Sequence, residues 1–157
     1  MRDRAVLSIL FAMSVIGCSS TAHAAGPFGS IRIAGWSGGA FTDDASGSFT
    51  HCGAHASYKN GTTLLVGQGT NGWLLGFAGP GWKIAKGESF PMDVTFDGQA
   101  QFHLFATGLS EGLAVALLPS QTMEQFRKAH LMSAFGKGQA FQFELAGTGQ
   151  LLPTIAN

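Results

Sequence analysis

Residues 90–106 read FPMDVTFDGQAQFHLFA, and this stretch decides the fold. Met92, Val94 and Phe96 alternate with Asp93 and Thr95. A period of two marks a strand with one face buried. Asp97-Gly98 follows, a pair that tolerates positive φ and suits a tight hairpin turn. Residues 102–106 return as a second strand. Strands joined by so short a turn run antiparallel.

The pattern recurs on both sides. Ile31, Ile33 and Trp36 suggest a first strand, with a break or bulge at Gly38-Gly39 before Ala40-Phe41. Residues 42–47 supply turn chemistry, and 48–58 a long strand. Asn60-Gly61 is the strongest local turn signal and predicts a type I′ hairpin. Residues 63–66, 73–78, 113–118 and 141–145 read as further strands. The period changes only at residues 121–135. There Met123, Phe126, His130 and Ala134, with Phe135 beside it, recur every three to four positions. This predicts one amphipathic helix, with Thr122 and Gln125 at capping-box spacing and Gly136 at its end. Leu151 and Leu152 are expected to tuck the C-terminal tail onto the core. The expected fold is mainly β: an antiparallel β-sandwich or partly open barrel of about eight strands with one helix.

The N-terminus reads as a targeting segment. Arg2 and Arg4 precede an apolar run over residues 5–16, and Ala22-His23-Ala24 forms a small-x-small cleavage site. A run this short does not span a bilayer. The reading is a signal peptide over 1–24 and one domain over 25–157, in a periplasmic or secreted protein. A competing reading takes Val15-Ile16-Gly17-Cys18 as a lipobox, with Cys18 lipidated and the protein membrane-anchored.

Lys and Arg together number nine, as do Asp and Glu, and no run of like charge occurs. Phosphate binding needs clustered bases, so nucleic acid is not an expected partner. With the leader removed, Cys52 is the single cysteine, and burial is the simplest reading of it.

Residues 35–52, GWSGGAFTDDASGSFTHC, concentrate the unusual residue types. Gly35-Trp36-Ser37-Gly38-Gly39 matches the G-x-S-x-G nucleophile elbow. That motif needs a helix after the serine, which the following Gly-Gly-Ala-Phe does not favour. His51, Cys52 and His55 suggest a metal cluster. On a strand, His51 and His55 share a face but lie about 13 Å apart. One zinc holds its histidine nitrogens at about 2 Å, so these two do not converge on it. Cys52 points to the opposite face from both. Asp43 and Asp44 read first as turn acceptors. Trp73 and Trp82 flank the glycine loop 76–81, where indoles serve either the core or a ligand surface. No cofactor and no metal are expected.

Residues 35–52, with Tyr58, Asn60-Gly61, Gly72-Trp73 and Phe77, resemble a group of small secreted proteins of alphaproteobacteria. Their pattern is W-x-G-G-A-F/Y-T-D-D followed by His-Cys, and no activity comes with it. Members of that group often end in a cysteine, whereas this chain ends Ile155-Ala156-Asn157. The second half is similar in layout to invasion-associated locus B proteins, which are small periplasmic β proteins. The likeness runs from Trp82 to Gly87, through Thr95 to Gly98, to Phe141-Gln142-Phe143-Glu144-Leu145-Ala146-Gly147-Thr148. That family carries more cysteines than this chain has. Together these resemblances imply an envelope protein with a binding or structural role.

The sequence therefore predicts a non-enzymatic envelope or secreted protein that binds an envelope partner or small ligand, or stabilises a surface assembly. Its candidate surface comprises Trp36, Asp43, Asp44, His51, Cys52, Trp73 and Trp82. The alternative is a small hydrolase or thiol enzyme centred on Ser37 or Cys52.

Overall fold

The computed structural model describes residues 26–43 and 45–157. The leader, Cys18 and Asp44 lie outside them. The described chain forms ten strands and two helices. The strands are β1 (Phe28–Ile33), β2 (Trp36–Thr42), β3 (Phe49–Ser57), β4 (Thr63–Gly69), β5 (Gly72–Ala78), β6 (Ser89–Phe96), β7 (Ala100–Ser110), β8 (Leu113–Leu117), β9 (Leu131–Gly136) and β10 (Gln139–Glu144). Helix α1 (Ser120–Lys128) links β8 to β9, and α2 (Thr148–Ala156) ends the chain.

All pairings are antiparallel, in one open sheet ordered β1-β2-β3-β4-β5-β8-β7-β6-β9-β10. Strands β1 to β5 form a meander. Residues 79–88 then carry the chain past β8 and β7 to β6, whose return meander brings β8 against β5. The sheet curls over its own inner face. Phe77 of β5 meets Phe143 of β10 at 6.1 Å between ring centres. Tyr58, just after β3, packs on Phe143 at 5.3 Å and donates its hydroxyl to the Glu144 carbonyl at 2.8 Å. Helix α1 puts Phe126 against Trp36 of β2 and Phe96 of β6. Helix α2 packs on β1, β3, β4 and α1, burying Leu151, Leu152 and Ile155.

The alternation over 90–106 holds. Met92, Val94, Phe96, Leu104 and Ala106 are buried, and Asp97 (φ 48°) and Gly98 (φ 69°) make the turn. Other expectations are corrected. Residues 31–41 are a hairpin, not one strand, because Ala34 (φ 46°) and Gly35 (φ 92°) turn the chain between Ile33 and Trp36. At Asn60-Gly61 only Gly61 has positive φ, so a type I′ turn does not form. Asn60 instead accepts hydrogen bonds at Oδ1 from the Thr62 N–H and hydroxyl, inside a wider loop between Ser57 and Thr63.

The helix expected over 121–135 is α1 followed by β9. Asp97 accounts for the break: its carboxylate accepts the N–H groups of His130 (3.0 Å) and Leu131 (2.8 Å), where the chain leaves the helix. Met132 and Ala134 are buried at strand spacing, while Phe135 is exposed. The capping box is absent, since no side chain caps α1. Helix α2 was not expected. Pro153 lies inside it, and an interior proline costs about 3 kcal/mol. Three buried aliphatic side chains offset that cost at about 1.5–3 kcal/mol each.

Candidate functional site

Trp36 is 2% exposed and donates its indole N–H to the Ala146 carbonyl at 2.9 Å. Trp82, also 2% exposed, lies edge-on to Phe90 and Phe141. Neither indole reaches the surface. Trp73 is half-buried beside Met123 of α1 and Leu152 of α2. The three tryptophans do not form one surface.

Asp43 organises its own turn. Its carboxylate accepts the N–H groups of Ala45 (3.1 Å) and Ser46 (2.8 Å) and the Ser46 hydroxyl (2.8 Å). The Ser46 amide and hydroxyl hold its carboxyl below the usual carboxylate range. Ser37 is mid-strand in β2, directly opposite His55 of β3. Among the described residues no side-chain hydrogen bond joins this pair, and the other cross-strand neighbour of His55 is Leu65, which orients no imidazole. Among the described residues no three His, Cys, Asp or Glu side chains cluster for a metal. Cys52 is half-buried against the core, between Ala40 and Gln68. His51 faces the other way.

That outward side of β3, β4, β5 and β8 carries a groove of about 630 Å³. Its floor is glycine: Gly53 pairs with Gly67, and Gly76 pairs with Leu65. A Cβ on Gly53 would stand 3.2 Å from the Val66 carbonyl, so the floor is close to backbone level. Leu65, Leu74 and Val115 form one wall, Leu109 and Leu113 the end, and Phe41 with His51 the other wall. The Phe41 and His51 rings stack at 4.8 Å and 12°. Burial pushes the His51 imidazole below its usual range, so it is neutral at neutral pH. Among the described residues no Lys, Arg, Asp or Glu lines the groove.

Sequence reasoning selected His51 but missed the groove. A signal was present: Leu64-Leu65, Leu74-Leu75 and 114–116 place apolar residues on both faces of their strands. A second feature also went unseen. His103 Nδ1 lies 2.5 Å from Asp93 Oδ1 on the outer face of β6 and β7. The register set by the Asp97-Gly98 turn brings these two together.

No protein-family model matches the sequence, and no curated protein matches it. Among solved structures, the fold is similar to the crystal structure of invasion associated protein B from Bartonella henselae. The TM-score is 0.56 at 12% identity, covering 81% of this chain and 94% of that one. At this identity the likeness is one of fold.

Proposed function

We propose that this chain is a non-enzymatic envelope or secreted protein that binds an apolar ligand in the outer-face groove. The groove carries the reading: a glycine-floored, largely apolar trough on a sheet face that a water-facing antiparallel sheet would cover with polar side chains. Its volume lies within the range of small-molecule sites, about 300–1,000 Å³. The leader pattern and the W-x-G-G-A-F-T-D-D…H-C likeness to secreted alphaproteobacterial proteins support an envelope location, as does the fold shared with the Bartonella protein. Export with cleavage after Ala24 is the first reading and lipidation at Cys18 the second. Intact mass of the protein from its own cells separates them.

Titration with the apolar fluorophore N-phenyl-1-naphthylamine tests the groove. The expected result is saturable binding that Gly69→Leu weakens at least tenfold. Gly69 lines the groove, and a Cβ there makes ordinary contacts from 3.4 Å outward, so the variant fills the groove without forcing the backbone. Absent binding, or binding unchanged in that variant, refutes the assignment.

A further inference from the structure

Two imidazoles line the groove, His51 and His55, and the neighbours of His51 place its hydrogen. Strand β3 carries one extra residue against β2: Phe41 pairs with His51, and Thr42 pairs with Phe49. Thr50 is the bulged residue. A bulge re-aims side chains, and here it puts the Thr50 hydroxyl beside the His51 ring. Thr50 Oγ1 lies 3.0 Å from the Phe41 carbonyl oxygen and 3.0 Å from His51 Nδ1. A carbonyl only accepts, so the single hydroxyl hydrogen goes to Phe41. The contact with His51 must then run the other way, with Nδ1–H donating to Thr50 Oγ1. A neutral imidazole has one N–H, which leaves Nε2 with a bare lone pair.

The ring cannot readily turn away, because Phe41 stacks on it. Its Cδ2, bonded to Nε2, overhangs the glycine floor at 3.5 Å from a Cβ built on Gly53 and 3.8 Å from one on Gly67. The lone-pair edge therefore faces the trough. Leu65, Leu74 and Val115 supply the aliphatic lining, with His55, Thr70 and Asn71 as its other polar side chains.

We infer that the groove selects an aliphatic chain bearing one neutral hydrogen-bond donor, a hydroxyl group, which His51 accepts at Nε2. This deepens the apolar-ligand reading and rests on it. At His51 Nε2 a carboxylate offers only acceptors and would oppose the lone pair, and an ether offers no hydrogen.

The test displaces bound N-phenyl-1-naphthylamine with 1-decanol, decyl methyl ether and decanoate at neutral pH. One neutral hydrogen bond predicts that decanol displaces at roughly five- to tenfold lower concentration than either of the others. His51→Phe keeps a ring on Phe41 and should erase the alcohol preference, so that decanol and decyl methyl ether displace the probe at equal concentrations. Long-range ¹H–¹⁵N spectra read the tautomer without any ligand, and the His51 signal should show Nδ1 protonated and Nε2 bare. Thr50→Val should abolish that bias. If the probe binds but decanol and ether compete equally, or the spectrum shows Nε2 protonated, the alcohol inference fails and the groove stands. If the probe does not bind, the groove assignment fails and takes the inference with it.

Discussion

Gly38 and Ser37 are neighbours in the G-x-S-x-G stretch, and the structure gives them opposite weights. Gly38 faces Ala54 across the β2–β3 ladder without unusual φ. A Cβ there would lie 2.0 Å from the Gly53 carbonyl oxygen and 2.6 Å from the Ala54 Cα. Both are backbone atoms, so no side chain can yield. Relieving the clash means parting the strands by more than an ångström, which breaks the local ladder bonds. Overpacking costs about 1–3 kcal/mol and each lost bond about 1 kcal/mol, so Gly38→Ala should cost about 3–5 kcal/mol. Ser37 is half-buried and its hydroxyl makes no hydrogen bond among the described residues, so Ser37→Ala should stay within about 0.5 kcal/mol of the parent. Urea unfolding followed by tryptophan fluorescence measures both, since Trp36 is buried two residues away. A Gly38→Ala variant within about 1 kcal/mol of the parent would refute the close-approach argument.

Three more outcomes are expected. Asp97→Ala should lose about 2–3 kcal/mol in the same assay, for two backbone hydrogen bonds and a strained positive φ, while Asp97→Asn should lose only about 1 kcal/mol; equal losses would separate the break after α1 from the carboxylate. Tyr58→Phe should cost about 1 kcal/mol by removing the bond to the Glu144 carbonyl. Burial first, and the Glu144 charge second, raise the Tyr58 pKa above its usual value. The unfolded chain then ionises first, so wild-type stability is intact below about pH 10 and declines as pH rises through the folded pKa. That decline should be smaller in Tyr58→Phe, and an unchanged decline would assign it elsewhere. Alkylation of Cys52 should be markedly slower in the folded protein than in denaturant, because the side chain packs on the core; equal rates would contradict that packing.

Much of the fold was legible because strands write their burial in period two. The run from Met92 to Ala106 needed only alternation and one turn pair. The break between α1 and β9 was not legible. Met123, Phe126, His130 and Ala134 satisfy helical spacing, and only the distant Asp97 carboxylate shows where the chain departs from it. The three tryptophans were read as surface candidates because a sequence does not say which face of a strand is inside. Trp36 and Trp82 went to the core through contacts with Phe126, Phe90 and Phe141, of which Phe126 on α1 and Phe141 on β10 lie far along the chain from their indoles.

By itself the sequence determined the antiparallel β class, the hairpin at Asp97-Gly98, and the opposite facing of His51 and Cys52. All three follow from local steric rules that need no partner strand. Only the tertiary structure decided the groove. Gly53, Gly67, Leu65 and Val115 lie on three strands, and their meeting depends on strand order and register. The tautomer we infer for His51 likewise rests on tertiary structure, because it takes the carbonyl of Phe41 on the neighbouring strand to claim the Thr50 hydrogen.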